Sequence, residues 1–537
     1  MVSLKVHKPS GHSSRSRSPK PGPEMASSLT IRNVTINPLE LVLTERFESP
    51  PAPGGGFSRV TGLFTSSTPA FYKPTDGQEP SERRDVAGVV VGAFETRATE
   101  IEAAVPGRSV LRLTFQTPGT VHKYVVDCPS PGARSVVMRK AGGGGDDGND
   151  DGDGDNAPPR LELTAVYTPS ARHLTVLSSA NLGAWMRELG DGWPLSALSI
   201  PGTHNSPTCH VALPSVRCQA VGVREQLDNG VRFLDLRVSA PRFDGGGGGG
   251  GGDNLALVHS VFPVSLGGGR YLAGLLDELY AFLDANPSEA LIVSLKREGT
   301  GRGTDQHLSQ HLFRRYCGNG GGKDGGGERD EEVVRRWFTE PRIPTLGEAR
   351  GRIVLVRRFN NDEALQAEHG GRGWGIDASA WPDNCADGTV GSGLVRVQDF
   401  YEVSQSTNIE KKAELARSHL ERACQQAFTT AAAPGTGDDD GDGDGAPPPP
   451  PPFFVNFLTA SNFFNATCWP EKIAARVNPS ITEYLCIRHA EQGKGPAQLD
   501  VGDAGTGIVV TDWVGHDGNW DLIRCIVAWN ARLQLKE

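Results

Sequence analysis

The hydrophobic pattern changes period once along this 537-residue chain, and that change limits the folds open to it. Over 29–179 apolar and polar residues alternate. Leu39, Leu41 and Leu43 alternate with Glu40, Val42 and Thr44; Leu111, Leu113 and Phe115 alternate with Arg112 and Thr114; Leu161, Leu163, Ala165 and Tyr167 form a third such run. Period two with one apolar face marks half-buried strands, and several runs predict an all-β, sandwich-like N-terminal domain. After residue 179 the pattern is of another kind. Leu272, Leu275, Leu276, Leu279, Phe282 and Leu283 share one helical stripe, which Asn286-Pro287 ends. Continuous apolar runs at 290–295, 351–356 (GRIVLV), 453–458 (FFVNFL) and 507–514 (GIVVTDWV) read as buried strands with helices between some of them. That alternation predicts an α/β class, a (β/α) TIM-type barrel over 180–537.

A chain of this length exceeds one ordinary core, which agrees with two domains. Its formal net charge of -10 argues against a nucleic-acid partner, which needs a basic face. No run approaches the roughly 20 apolar residues that span a bilayer. Residues 1–28 are basic and rich in Ser and Pro without an apolar h-region, so they read as a disordered tail rather than a signal peptide. Nine cysteines without a C-x-x-C pair point to free thiols in a reducing compartment; Cys209 and Cys218 are the pair close enough in sequence to bridge. The expected location is cytoplasmic or peripheral to a membrane. Gly-, Asp- and Pro-rich stretches near 142–159, 244–252, 318–327 and 434–452 cannot bury apolar surface, so they read as loops or insertions. Asp151, Asp153, Asp155 and Glu162 have calcium-loop spacing, but Asn156 replaces the turn glycine and no helix flanks them, so the stretch reads as a solvated acidic loop.

Polar residues concentrate at the ends of apolar runs in four segments: IPGTHNS (200–206), FLDLRV (233–238), LALVHS (255–260) and VTDWVGHDG (510–518). In a parallel barrel the strand C-termini face one site, so these residues can converge. Two histidines, one arginine and two aspartates suffice for phosphodiester cleavage without metal. One imidazole takes a proton from the attacking hydroxyl and the other gives one to the leaving oxygen. The guanidinium stabilises charge on the phosphoryl oxygens, and each carboxylate orients a histidine. A single histidine at a strand end is more often a hydrogen-bonded core residue, so the reading rests on joint order and spacing.

That order resembles the bacterial phosphatidylinositol-specific phospholipase C and X-domain family. The resemblance runs from about Trp185 to the end of the chain, through PLSALSIPGTHNS, QLDNGVRFLDLRV, NPSEALIVSLKRE, GEARGRIVLVRRF, WPDN, VQDFYEV and VVTDWV. It implies a distorted, incompletely closed barrel acting on an inositol phospholipid at a membrane surface, releasing diacylglycerol and an inositol 1,2-cyclic phosphate. By motif, His204 matches the general base with Asp512 as its partner, and His259 the general acid supported by Asp235. Arg237 matches the phosphate-contacting arginine. Lys296, Arg358, Asp399 and Tyr401 match residues of the inositol pocket.

Two departures bear on cofactors. Asn205 stands where the bacterial enzymes usually carry Asp, and calcium-dependent relatives use Asn there as a metal ligand. Arg237 sits where those relatives carry an acidic ligand, and a guanidinium and a divalent cation repel one another. The favoured expectation is that no cofactor or metal is needed, with calcium left open and Asn205 lining the substrate site. Ser260 follows His259 where glycine is common. The rival expectations are a phosphodiesterase for another headgroup and a catalytically silent lipid-binding barrel. Phe463, Phe464 and Trp469 are either an interfacial anchor or core.

Overall fold

The computed structural model describes residues 28–50, 72–130, 135–141, 161–242, 255–317, 335–430 and 449–537. The basic tail apart from Ser28, the Asp151–Asp153–Asp155 run, and the four low-complexity stretches apart from 449–452 lie outside the described residues.

Among the described residues ten strands precede residue 179: β1 (Ser28–Val34), β2 (Leu39–Glu48), β3 (Glu82–Val91), β4 (Thr96–Glu102), β5 (Ser109–Gln116), β6 (Lys123–Cys128), β7 (Ser135–Val137), β8 (Arg139–Ala141), β9 (Leu163–Thr168) and β10 (His173–Ser178). They form two five-stranded sheets, ordered β4-β1-β10-β9-β7 and β3-β2-β5-β6-β8. One apolar cluster joins them: Leu29 and Ile31 of β1, Leu163 and Ala165 of β9, and Leu174 and Val176 of β10 meet Leu41, Leu113, Phe115 and Val126 of the other sheet. The β2 alternation slips at a bulge between Leu41 and Leu43, which leaves Leu43 half-buried.

Strand β9 departs from the expected half-burial, because every one of its residues is buried. Its second face is covered from the other half of the chain. Val34, Val166 and Leu177 join a cluster with Leu420, Ile473, Val477, Ile481, Cys525 and Ile526. Each such side chain contributes roughly 1.5–3 kcal/mol on full burial. Arg32 is buried in the same seam, donating from Nη1 to the Cys486 carbonyl at 3.1 Å and from Nη2 to the His489 carbonyl at 2.5 Å. Thr175 donates to the Cys486 carbonyl at 3.1 Å.

The second half holds β11 (Ile200–Thr203), β12 (Phe233–Ser239), β13 (Ala256–His259), β14 (Phe262–Pro263), β15 (Leu291–Arg297), β16 (Trp337–Phe338), β17 (Ile353–Arg358), β18 (Ile376–Asp377), β19 (Gly388–Val390), β20 (Val395–Gln398), β21 (Phe453–Phe457) and β22 (Ile508–Thr511). The main sheet runs β16-β17-β15-β12-β11-β22-β21-β20-β19. Its ladders from β16 to β20 are parallel, and β19 closes antiparallel on β20. Among the described residues no ladder joins β19 to the β16 edge, so the sheet curls as an open barrel. The helix Leu272–Ala285 buries all six residues of its stripe against this sheet. No helix among the described residues is long and apolar enough to cross a membrane.

Candidate active site

The parallel register brings the polar segments to one end of the sheet. Thr203 pairs with Thr511, so the next residues on β11 and β22, His204 and Asp512, stand side by side. His204 Nδ1 lies 3.0 Å from Asp512 Oδ1. With Nδ1–H donating to the carboxylate, Nε2 is left as the acceptor, and Asn205 Nδ2 lies 3.0 Å from it. Gln219 fastens this corner, donating from Nε2 to the carbonyls of His204 and Thr511 at 2.7 and 2.9 Å. Asn205 sits at φ 42°, a left-handed conformation that Asn tolerates better than most residues.

A second register line crosses three strands. Arg237 of β12 pairs with Lys296 of β15, which pairs with Arg358 of β17. Cations side by side on neighbouring strands repel, so this row needs anions between its members. Asp235 and Glu298 supply them. Arg237 donates to Asp235 Oδ2 at 3.3 Å and to Glu298 Oε1 at 3.0 Å. Lys296 Nζ donates to the same Glu298 oxygen at 2.8 Å, and Ser260 N donates to its other oxygen at 2.8 Å. Arg358 Nη1 lies 3.5 Å from Asp235 Oδ1. Burial alone would raise Glu298, but Arg237 and then Lys296 overcome it and hold its carboxyl down at about 2.

His259 ends β13, which turns back antiparallel on β12. Its ring lies edge-on to that of His204, with centroids 5.8 Å apart. Asp235 supports His259 through charge alone, which raises the His259 pKa, and not through a hydrogen bond. His259 Nδ1 is 2.9 Å from the Val216 carbonyl, and Cys218 Sγ is 3.7 Å from the same nitrogen. Asp235 is instead taken up by the two guanidiniums. Burial lowers the pKa of both histidines, and the Arg237 charge lowers them further. Burial raises Asp512.

The remaining inositol-pocket candidates hang on the WPDN loop. The Arg358 guanidinium lies 3.9 Å from the Trp381 ring centroid, and Trp381 Nε1 donates to Asp399 Oδ2 at 2.9 Å. Tyr401 donates to Asp383 Oδ1 at 2.7 Å, and Asn384 Oδ1 accepts from the Tyr401 amide at 2.9 Å. Asp399 is raised by burial, against the pull of Arg358 and Lys412. Burial also lowers Lys412 to about 7, while it donates to Gln398 Oε1 and the Phe400 carbonyl.

Several buried atoms at this end have no hydrogen-bond partner: Asn205 Oδ1, Asp235 Oδ1, Arg237 Nε, Arg358 Nε and Nη1, and Asp512 Oδ2. Calcium does not suit the donor set near Asn205, because Asp235, the carboxylate that accepts from the Asn205 amide, is already engaged by Arg237. Sequence reasoning did not assign roles to Val216, Cys218, Gln219, Trp381 or Lys412. Of these only Trp381 had a signal, through WPDN.

No family model matches the chain. It is 30% identical over 206 residues to 1-phosphatidylinositol phosphodiesterase of Listeria monocytogenes, which spans 37% of this chain and 56% of that protein. It is 25% identical over 346 residues to the 1-phosphatidylinositol phosphodiesterase of Staphylococcus aureus, spanning 62% of this chain and 88% of that protein. In sequence the chain is therefore similar to curated phosphatidylinositol phosphodiesterases. The match to the Listeria relative covers little more than half its length. A solved phosphatidylinositol-specific phospholipase C from S. aureus superposes with a TM-score of 0.47 at 21% identity, covering 65% of this chain and 97% of that one.

Proposed function

We propose that this chain cleaves phosphatidylinositol-type lipids to diacylglycerol and inositol 1,2-cyclic phosphate by metal-independent phosphoryl transfer. The observation that carries the reading is the pair of edge-to-face imidazoles beside Arg237, with buried donor and acceptor atoms around them unpartnered. His204 Nε2 takes the proton of the inositol 2-hydroxyl as its oxygen bonds to phosphorus. The bond from phosphorus to the diacylglycerol oxygen breaks, and His259 Nε2 delivers a proton to that oxygen. His259 Nδ1 stays on the Val216 carbonyl throughout. Burial and the Arg237 charge favour the neutral form of both imidazoles in the free site, and the arriving phosphodiester anion favours the charged form of His259. Arg237, kept charged by Asp235 and Glu298, stabilises the phosphoryl oxygens. Lys296, Arg358, Asp399 and Tyr401 are assigned to the inositol hydroxyls, with Asn205 beside the attacking oxygen.

Residues 29–179 are read as a sandwich-type accessory domain and 180–537 as the catalytic barrel. The lipid surface is assigned to the rim nearest His259. Val211, Val261, Leu266 and Phe463 are exposed there, and Phe464 is 95% exposed. Phe262 stacks on Phe463 at 6.0 Å, and Leu266 N bonds the Val211 carbonyl at 2.9 Å, so these loops form one apolar lip.

The test is turnover on phosphatidylinositol, phosphatidylcholine and phosphatidylethanolamine vesicles in excess EDTA. Release of diacylglycerol from phosphatidylinositol alone is expected. Cleavage of another headgroup, binding without turnover, or a loss in EDTA that calcium restores would each overturn the proposal.

A further inference from the structure

Cys218 takes no part in the chemistry above, yet it is fully buried and its sulfur faces both histidines' surroundings. Sγ lies 3.7 Å from His259 Nδ1, 4.0 Å from Asn205 Nδ2 and 3.5 Å from the Val216 carbonyl. A ring nitrogen of His204, a ring nitrogen of His259 and Cys218 Sγ all lie within 4.8 Å of one another, and among the described residues this is the one such group of three metal-ligating side chains. From these positions we infer that the site has a second ligand: a soft divalent cation, of which zinc is the best match, held by His204, Cys218 and His259 and shutting the site to substrate.

The donor chemistry selects the cation. Two imidazoles and a thiolate favour zinc over calcium or magnesium, which take oxygen ligands. Zinc bonds of about 2.0–2.3 Å in a tetrahedron put neighbouring ligand atoms about 3.3–3.7 Å apart. The Sγ to Nδ1 separation already has that value; ligation there moves the His259 proton from Nδ1 to Nε2 and releases the Val216 carbonyl, and the wider spacings close with inward side-chain shifts of about 1 Å. Asp512 holds His204 by Nδ1 and leaves Nε2 outward, which is how a carboxylate supports a metal-bound histidine. The Asn205 amide stands between His204 Nε2 and Cys218 Sγ, and its buried Oδ1 has no partner. Turning that amide about its own axis replaces Nδ2 by Oδ1 and offers an oxygen to the fourth position. The charge of Arg237 opposes a second cation, but Asp235 and Glu298 offset it. On binding, the Cys218 S–H proton leaves to solvent as the sulfur–zinc bond forms, so uptake strengthens as pH rises. The cation then occupies the lone pair that His204 would use as a base.

Binding does not depend on the proposed activity; the inhibition does. The two are therefore measured apart. Cobalt(II) is titrated into the metal-free full-length chain, followed by absorption, and zinc is titrated by calorimetry. One equivalent is expected, with a sulfur-to-cobalt charge-transfer band and tetrahedral ligand-field bands. The charge-transfer band should vanish in Cys218→Ala, and the ligand-field bands should vanish or change in His259→Gln, with circular dichroism checking the fold of each. Zinc should inhibit phosphatidylinositol turnover competitively, and Cys218→Ala, active without metal, should need at least about tenfold more zinc. A band that persists in both variants, or no saturable binding by the native chain, would overturn the inference. A chain that binds cobalt as described but cleaves no phosphatidylinositol would leave the metal site standing and overturn the proposed function.

Discussion

An arginine stands toward each end of strand β12, Arg232 fully buried and Arg237 half-buried, and the two are treated in opposite ways. Arg232, just before the strand, is saturated. Its Nε meets Glu289 at 2.9 Å, Nη1 bonds the carbonyls of Leu227 and Val231, and Nη2 bonds those of Leu182 and Gly183. Arg237, near the other end, shares Asp235 and Glu298 with Lys296 and Arg358 and keeps Nε without a partner. Both side chains are desolvated, but only the first has every donor used within the fold. The comparison teaches where binding capacity lies: a saturated guanidinium locks the barrel floor, and an under-saturated one at the strand C-termini has a donor to give to a ligand.

The sharpest way to break this comparison is to remove each charge in turn. Arg232→Met strands Glu289 as a buried unpaired charge, so stability should fall by roughly 3–5 kcal/mol, while kcat per folded molecule stays near wild type. Denaturant titration with active-site-normalised kinetics checks both halves. A stable variant would show that Arg232 does not lock the floor.

Arg237→Lys should do the reverse. Lysine keeps the charge but loses the planar fork, so kcat should drop roughly 10²- to 10³-fold with little change in unfolding midpoint. Wild-type turnover would make Arg237 structural, like Arg232.

Glu298 sharpens the contrast further. Its pKa in the fold, about 2, lies below its ordinary value of 4.5, so its contribution is fully present above pH 4.5 and is lost as pH falls toward 2. That contribution is on the order of 3 kcal/mol or less. Glu298→Gln should therefore flatten the stability-against-pH curve between those values, and an unchanged slope would mean that Glu298 is not held low by Arg237 and Lys296.

Much of this was legible in the sequence, and the exceptions have physical causes. The stripe from Leu272 to Leu283 and the apolar strands were readable because periodicity reports burial directly. The positions of His204, Arg237, Lys296, Arg358 and Asp512 at the ends of parallel strands follow from those runs. Strand β9 was not readable as doubly buried, since its second cover comes from helices roughly half the chain's length later in sequence. The hydrogen-bond partner of His259 was not legible because a backbone carbonyl, Val216, carries no side-chain signature. Lys412 looks like a solvated residue in IEKKAELARSHLERAC, and only the tertiary fold turns it inward to Gln398. The Arg358–Trp381 stack was hidden for the same reason.

The central claim is that the two neighbouring imidazoles divide base and acid between them. The direct measurement is kcat/KM for His204→Ala and His259→Ala on the natural lipid and on an analogue with a phenolate or thiolate leaving group, each relative to wild type. Diacylglycerol leaves as a basic alkoxide and needs a proton, whereas the activated group does not. Both variants should lose roughly 10²- to 10⁴-fold on the lipid. The analogue should restore most of the loss in His259→Ala and none in His204→Ala. Rescue of His204→Ala instead would reverse the two roles, and rescue of neither, with both variants folded, would contradict the division of labour.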